Sequence, residues 1–150
     1  MKRLVILLMI SALFLGCQLM GINQSSSEMA EEESVTEVKE RGYDSSGFIA
    51  DVTIPDNMVM KPGKKFDKTW RLINRGSTTW KDYNLVFTHG DRLGAPKQVS
   101  VPVTPPGKEV DITIPMKAPE EPGSYQGFWK MMNDLGETFG VGIWVQIKVE

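Results

Sequence analysis

From residue 48 to the C-terminus, apolar and polar residues alternate in short runs broken by proline and glycine. A period of two is the mark of a strand with one face buried. The pattern is clearest over 109–117, where Val110, Ile112, Ile114 and Met116 fall on one side and Asp111, Thr113 and Lys117 on the other. Pro115 inside that run predicts an edge strand or a strand end, because proline cannot donate to a ladder on both sides. The last run, 141–149, sets Val141, Ile143, Val145, Ile147 and Val149 on one face and Trp144, Gln146 and Lys148 on the other. Further strands are expected over 48–54, 65–73, 84–88, 98–103 and 124–132, with turns at Pro62-Gly63, Pro106-Gly107 and Pro122-Gly123. No stretch carries the pattern of an amphipathic helix. Seven short strands in about 100 residues predict an all-β, immunoglobulin-like β-sandwich, with a small barrel as the alternative.

The first residues follow a different rule. Lys2 and Arg3 precede an apolar run over 4–15 that only Ser11 interrupts. That is the order of a secretory signal, and the run falls short of the roughly 20 residues of a membrane span. Gly16 and Cys17 follow, and Cys17 is the sole cysteine of the chain. Residues 1–17 resemble a bacterial lipoprotein signal with its lipobox, although Phe14 and Leu15 stand where such boxes prefer leucine and a small residue. The resemblance implies cleavage between Gly16 and Cys17, lipidation of Cys17, and an exported bacterial protein anchored to the cell membrane with its domain outside the cytoplasm. Two or three acyl chains, at about 0.8 kcal/mol per buried methylene, anchor a protein durably. The expected organisation is a signal peptide over 1–16, a lipidated N-terminus and acidic flexible linker over 17–47, and one domain over 48–150.

Charge supports the division. Residues 18–47 hold seven acids and two bases, whereas residues 48–150 hold twelve and thirteen. The linker has little apolar content with which to build a core. The domain lacks the basic excess that would attract a phosphate backbone, so no nucleic-acid partner is expected. A single cysteine allows no internal disulfide, so large aromatic side chains must fill the place of the cystine common in such sandwiches.

All four tryptophans lie in the domain, in a distinctive setting. Ile54-Pro55-Asp56 and Met60-Lys61-Pro62-Gly63 precede Phe66-Asp67-Lys68-Thr69-Trp70-Arg71-Leu72-Ile73-Asn74, and Gly76-Ser77-Thr78-Thr79-Trp80 follows. Gly90-Asp91 and Ala118-Pro119 come next, then Gly123-Ser124-Tyr125 leading to Trp129, and Phe139-Gly140 leading to Trp144. This order resembles the four-tryptophan (FW) domain, the Ig-like central domain of a eukaryotic selective-autophagy cargo receptor. The resemblance spans about 48–150 and implies an Ig-like sandwich that eukaryotic members use to bind proteins; bacterial chains carry it too.

Alternation makes Trp70 a core residue with Phe66 and Leu72, and Trp129 one with Tyr125 and Met131. Trp80 either plugs one end of the sandwich or is a contact residue. Trp144 faces solvent unless a bulge near 140–142 reverses its register. Trp80 and Trp144 are therefore the candidate binding residues, since exposed aromatic groups anchor protein interfaces and also stack on sugars. Asp67, Lys68 and Arg71 read as charge pairing on a sheet face, and Met58 and Met60 as core or loop filling. His89, the only histidine, reads as a loop residue. Catalysis needs a positioned nucleophile or metal beside a base, and the sequence supplies neither. No metal, cofactor or enzymatic activity is expected. The expected function is a membrane-tethered, noncatalytic module that binds an unknown protein ligand at the cell envelope. A carbohydrate- or cell-wall-binding module and a structural envelope lipoprotein are the alternatives.

Overall fold

The computed structural model describes residues 41–150. The signal over 1–16, Cys17 and the first part of the linker lie outside the described residues. Eight strands follow in order: β1 (Ser46–Asp51), β2 (Met58–Met60), β3 (Lys65–Asn74), β4 (Asn84–Gly90), β5 (Gln98–Ser100), β6 (Glu109–Lys117), β7 (Gly123–Met132) and β8 (Thr138–Val149). They form a three-stranded sheet, β1-β3-β6, and a five-stranded sheet, β2-β8-β7-β4-β5. This is the all-β, Ig-like sandwich that the alternation predicts.

Three differences have physical causes. The extra strand β2 is only three residues long, too short to show a period, and pairs in parallel with the end of β8 through Met58↔Ile147 and Met60↔Val149. His89 belongs to β4 rather than to a loop: a bulge between Phe87 and His89 turns its ring onto Phe128, stacked at 4.3 Å. The folded part also begins before the expected boundary at Phe48. β1 starts at Ser46, and Asp44 is anchored to the domain by three donors. Thr78 Oγ1 and Tyr83 OH (2.6 Å) donate to one of its oxygens, and Asn133 Nδ2 (2.9 Å) to the other. A polar stretch with no apolar period hides such an anchor from the sequence.

The core lies between the sheets. Trp70 on β3 meets Trp129 on β7 with ring centroids 6.3 Å apart, so two indoles bridge the layers. Phe87 packs edge-on against Trp129 at 5.5 Å. Ile112, Ile114 and Met116 of β6 close the core from the small sheet, and Ile143, Val145, Ile147 and Val149 of β8 close it from the large one. Phe66 and Tyr125, expected in the core, pack half-buried at its margin. β6 is an edge strand, which accommodates Pro115. Its outer face is polar: Arg71 makes a two-pronged bond to Asp111 at 2.7 and 2.8 Å, and this guanidinium holds the Asp111 carboxyl below the usual range.

Trp129→Ala should lower unfolding free energy by about 3–5 kcal/mol, the usual cost of emptying a large aromatic site, measured by urea denaturation. Asp44 gives a second prediction. Its partial burial raises its pKa, but the bonds from Thr78, Tyr83 and Asn133, with Arg41 nearby, outweigh burial and hold it below the ordinary value. A depressed carboxyl stabilises the fold above the unfolded pKa of about 3.9 and loses that contribution as pH falls through the folded value. Asp44→Asn should cost about 1–3 kcal/mol at pH 7. The difference from the natural chain should persist down to about pH 4 and shrink below it, as denaturation at each pH will show.

Candidate binding groove at the edge of the sandwich

The four indoles divide unequally. Trp70, Trp80 and Trp129 are buried, whereas Trp144 is 43% exposed. Trp80 is therefore corrected from candidate contact residue to core. It is 0% exposed, and Phe139 packs edge-on against it at 6.0 Å. An isolated bridge to Thr104 holds its backbone, with both N···O distances at 3.0 Å. Its turn-flanked position gave no alternation from which to read burial.

Trp144 points outward because β8 keeps an unbroken register with β7 from Gly123↔Val149 to Trp129↔Ile143, and alternation turns it away from Ile143 and Val145. Trp129 pairs with Ile143, but Met131 pairs with Phe139, so β8 uses two more residues than β7 over this stretch. Gly140, at φ 70°, sits in that irregularity. An extra pair of residues preserves side-chain parity. Phe139 and Ile143 therefore both pack inward, whereas Val141, expected on their face, lies exposed within the irregular stretch.

β1 carries the opposite device. Phe48 pairs with Leu72, but Ala50 pairs with Arg71 and Asp51 with Trp70, so Ile49 is one extra residue. A single insertion reverses parity. Phe48 before the bulge and Asp51 after it consequently share the inward face at the open edge beside β8. Together with Asp56, Gly142, Ile143 and Trp144 they line a cavity of about 280 Å³. Phe48 is 44% exposed at its mouth.

A buried lysine shapes this cavity. Even-numbered side chains of β3 point inward, and Lys68 is among them, in phase with Phe66, Trp70 and Leu72. The expectation that Lys68 pairs on the sheet face is thus corrected. Its Nζ donates to Asp51 Oδ1 at 2.6 Å, the Thr53 carbonyl at 3.1 Å and the Ile54 carbonyl at 2.6 Å. All three ammonium protons are used, which is what makes a buried charge tolerable. Lys68 Nζ also lies 5.3 Å from the Trp70 ring centre.

These bonds fasten the loop after β1. Ile54 has φ 52°, a conformation that costs a β-branched residue about 1–2 kcal/mol, and the ammonium holds its carbonyl there. Two residues on, Asp56 Oδ2 accepts the Trp144 indole N–H at 3.0 Å. From within, the Trp70 indole N–H donates to the Trp144 carbonyl at 3.0 Å. Trp144 is therefore held at its backbone and at its ring edge while the residue stays partly exposed. Sequence reasoning found Trp144 but missed Phe48, Asp51, Asp56 and Lys68. The one available signal was Lys68 in phase with Trp70. Among the described residues, no three His, Cys, Asp or Glu side chains converge as metal ligands.

Lys68→Met preserves bulk but leaves two carbonyls and Asp51 without their donor. It should cost about 2–3 kcal/mol, somewhat less than breaking a wholly buried pair because Asp51 reaches solvent. The Trp144 indole resonance should move with it, whereas a purely local packing defect would leave that signal in place.

Comparison with known proteins agrees with this architecture. Residues 53–149 match the family described as "Ig-like domain from next to BRCA1 gene". "Protein JOKA2" of Solanum tuberosum is 36% identical over 110 residues, covering 70% of this chain and 13% of that protein. "Protein ILRUN" of Danio rerio is 36% identical over 107 residues, covering 71% and 38%. "Protein NBR1 homolog" of Arabidopsis thaliana is 34% identical over 110 residues, covering 70% and 16%. The chain thus spans well under half the length of each of these relatives. With the family match extending over nearly all of the sandwich and its tryptophans, the chain belongs to the family of the Ig-like domain from next to BRCA1 gene.

Proposed function

We propose that this protein is a noncatalytic recognition module that binds a protein partner through the groove at Trp144, and that a lipidated Cys17 tethers it to the outer side of a cell membrane. The observation that carries the binding half is Trp144 itself. An exposed indole is fixed at two points and lines a cavity together with Phe48, which is the form of a preorganised aromatic anchor. Membership of a family whose four-tryptophan domain resembles a protein-binding module supports the same reading. The tether half rests on the signal-like residues 1–17 and the acidic spacer, which would give the domain reach from the bilayer.

The carbohydrate reading drew on two exposed indoles as a stacking platform. With Trp80 buried, it retains only Trp144. A protein surface also makes better use of the two carboxylates beside that ring.

Chemical crosslinking in intact cells, followed by recovery of the full chain, tests both halves. Trp144→Ala should remove the recovered partner while costing the fold about 1–2 kcal/mol, less than emptying a fully buried tryptophan site, since the ring is only partly buried. Cys17→Ser should move the chain from the membrane fraction to the soluble one. A partner unaffected by Trp144→Ala would refute the groove, and wall-polysaccharide binding lost in that variant would favour the carbohydrate reading.

A further inference from the structure

The groove beside Trp144 has a chemical bias that its shape alone does not express. We propose that it is a cation pocket that takes one basic side chain, lysine or arginine, from an extended segment of the protein partner. The inference rests on the reading of the groove as a protein-binding surface and names what that surface recognises.

Two aromatic side chains, Phe48 and Trp144, wall the cavity, and two carboxylates, Asp51 and Asp56, stand among them. Aromatic faces attract cations through their quadrupole, and tryptophan does so most strongly. The carboxylates are only partly engaged. Asp51 gives Oδ1 to Lys68 and Asp56 gives Oδ2 to the Trp144 indole. Among the described residues, Asp51 Oδ2 and Asp56 Oδ1 accept no hydrogen bond. Asp51, Asp56 and Lys68 together leave one uncompensated negative charge, so a single cation balances the site. Donation of the indole N–H to Asp56 also places a negative charge at the ring edge, which enriches the ring face toward a positive partner.

Size selects a side chain over a larger ligand. At about 280 Å³ the cavity lies just below the range of small-molecule sites, roughly 300–1,000 Å³. Its location selects an extended segment. β1 is the edge of the small sheet, and β2 covers only Ile147–Val149 of β8, so the groove opens along a strand edge. A peptide lying there would pass its side chains over the mouth one at a time.

Indole N–H resonances of the full-length chain provide the test, because only one of the four belongs to Trp144. The probes are end-blocked Gly-Gly-X-Gly-Gly peptides with X as lysine, arginine, norleucine or glutamate, together with tetramethylammonium chloride. Lysine and arginine peptides should shift the Trp144 signal saturably. Norleucine should bind at least about fivefold more weakly, and glutamate should not bind. Asp56→Asn keeps an oxygen for the indole but removes the charge, and should weaken the lysine peptide about three- to tenfold. Raising salt from about 0.05 to 0.5 M should weaken it similarly.

Equal binding of norleucine and lysine, no saturable shift with any peptide, or indifference to Asp56→Asn would each overturn the inference. Tighter binding of tetramethylammonium than of the lysine peptide would overturn the choice of a basic side chain in favour of a quaternary ammonium ligand. The two readings fail separately. A crosslinked partner lost in Trp144→Ala, with peptides blind to charge, sinks the cation pocket alone. A charge-selective shift with no Trp144-dependent partner sinks the proposed function alone.

Discussion

The Trp70 indole is the constraint on which the remaining structure depends. Its ring crosses from the small sheet to meet Trp129 of the large one. Its N–H crosses the same gap and holds the carbonyl of Trp144. A cystine in this place would fix one distance between two sheets. An indole fixes a packing distance and a strand position together, because its apolar face and its polar edge do separate work. Lys68 above the ring then ties a loop to the same point. One side chain thereby joins the core, β8 and the loop that carries Asp56.

The groove arises where a regular stretch of β8 meets a bulged edge strand, β1. The unbroken β7–β8 register leaves Trp144 on the outer face, and an insertion of one residue in β1 brings Phe48 and Asp51 onto a common face. Without the β1 bulge, Asp51 would turn away and Lys68 would lose its carboxylate. The site is therefore a product of register, and its residues come from strands that are remote in sequence.

That origin explains what was legible from sequence. Strong alternation over 109–117 and 141–149 predicted two strands with the correct faces, except at Val141, which the irregularity before Ile143 leaves exposed, because burial on one side enforces a period of two. Trp70 and Trp129 were placed in the core by the same phase. Trp144 was placed outside by the same alternation, which holds because the irregularity near Gly140 lies beyond Ile143. Trp80 was illegible, since it stands alone between turns and its burial depends on Phe139 and Thr104 arriving from other strands. Phe48 and Asp51 were illegible for a related reason: a bulge is a property of pairing, and one strand read by itself does not show it; Asp56 lies in the loop after β1, which no period marks. Lys68 was visible by phase but discounted, because a lysine is seldom fully buried unless its charge is paired.

Lys68 also shows why the core tolerates a charge. Burying an ammonium is costly, and replacing such an ion pair with well-packed apolar groups is often neutral or stabilising. A methionine in this position would fill the space but make no bond to Thr53, Ile54 or Asp51. Ile54 would keep its strained backbone without compensation, and Asp56 would lose the loop geometry that brings it to Trp144. The stability forgone in the core is thus exchanged for a fixed surface. The lysine acts as a positioning residue whose effect appears two residues beyond its last bond, at the carboxylate that orients an exposed ring.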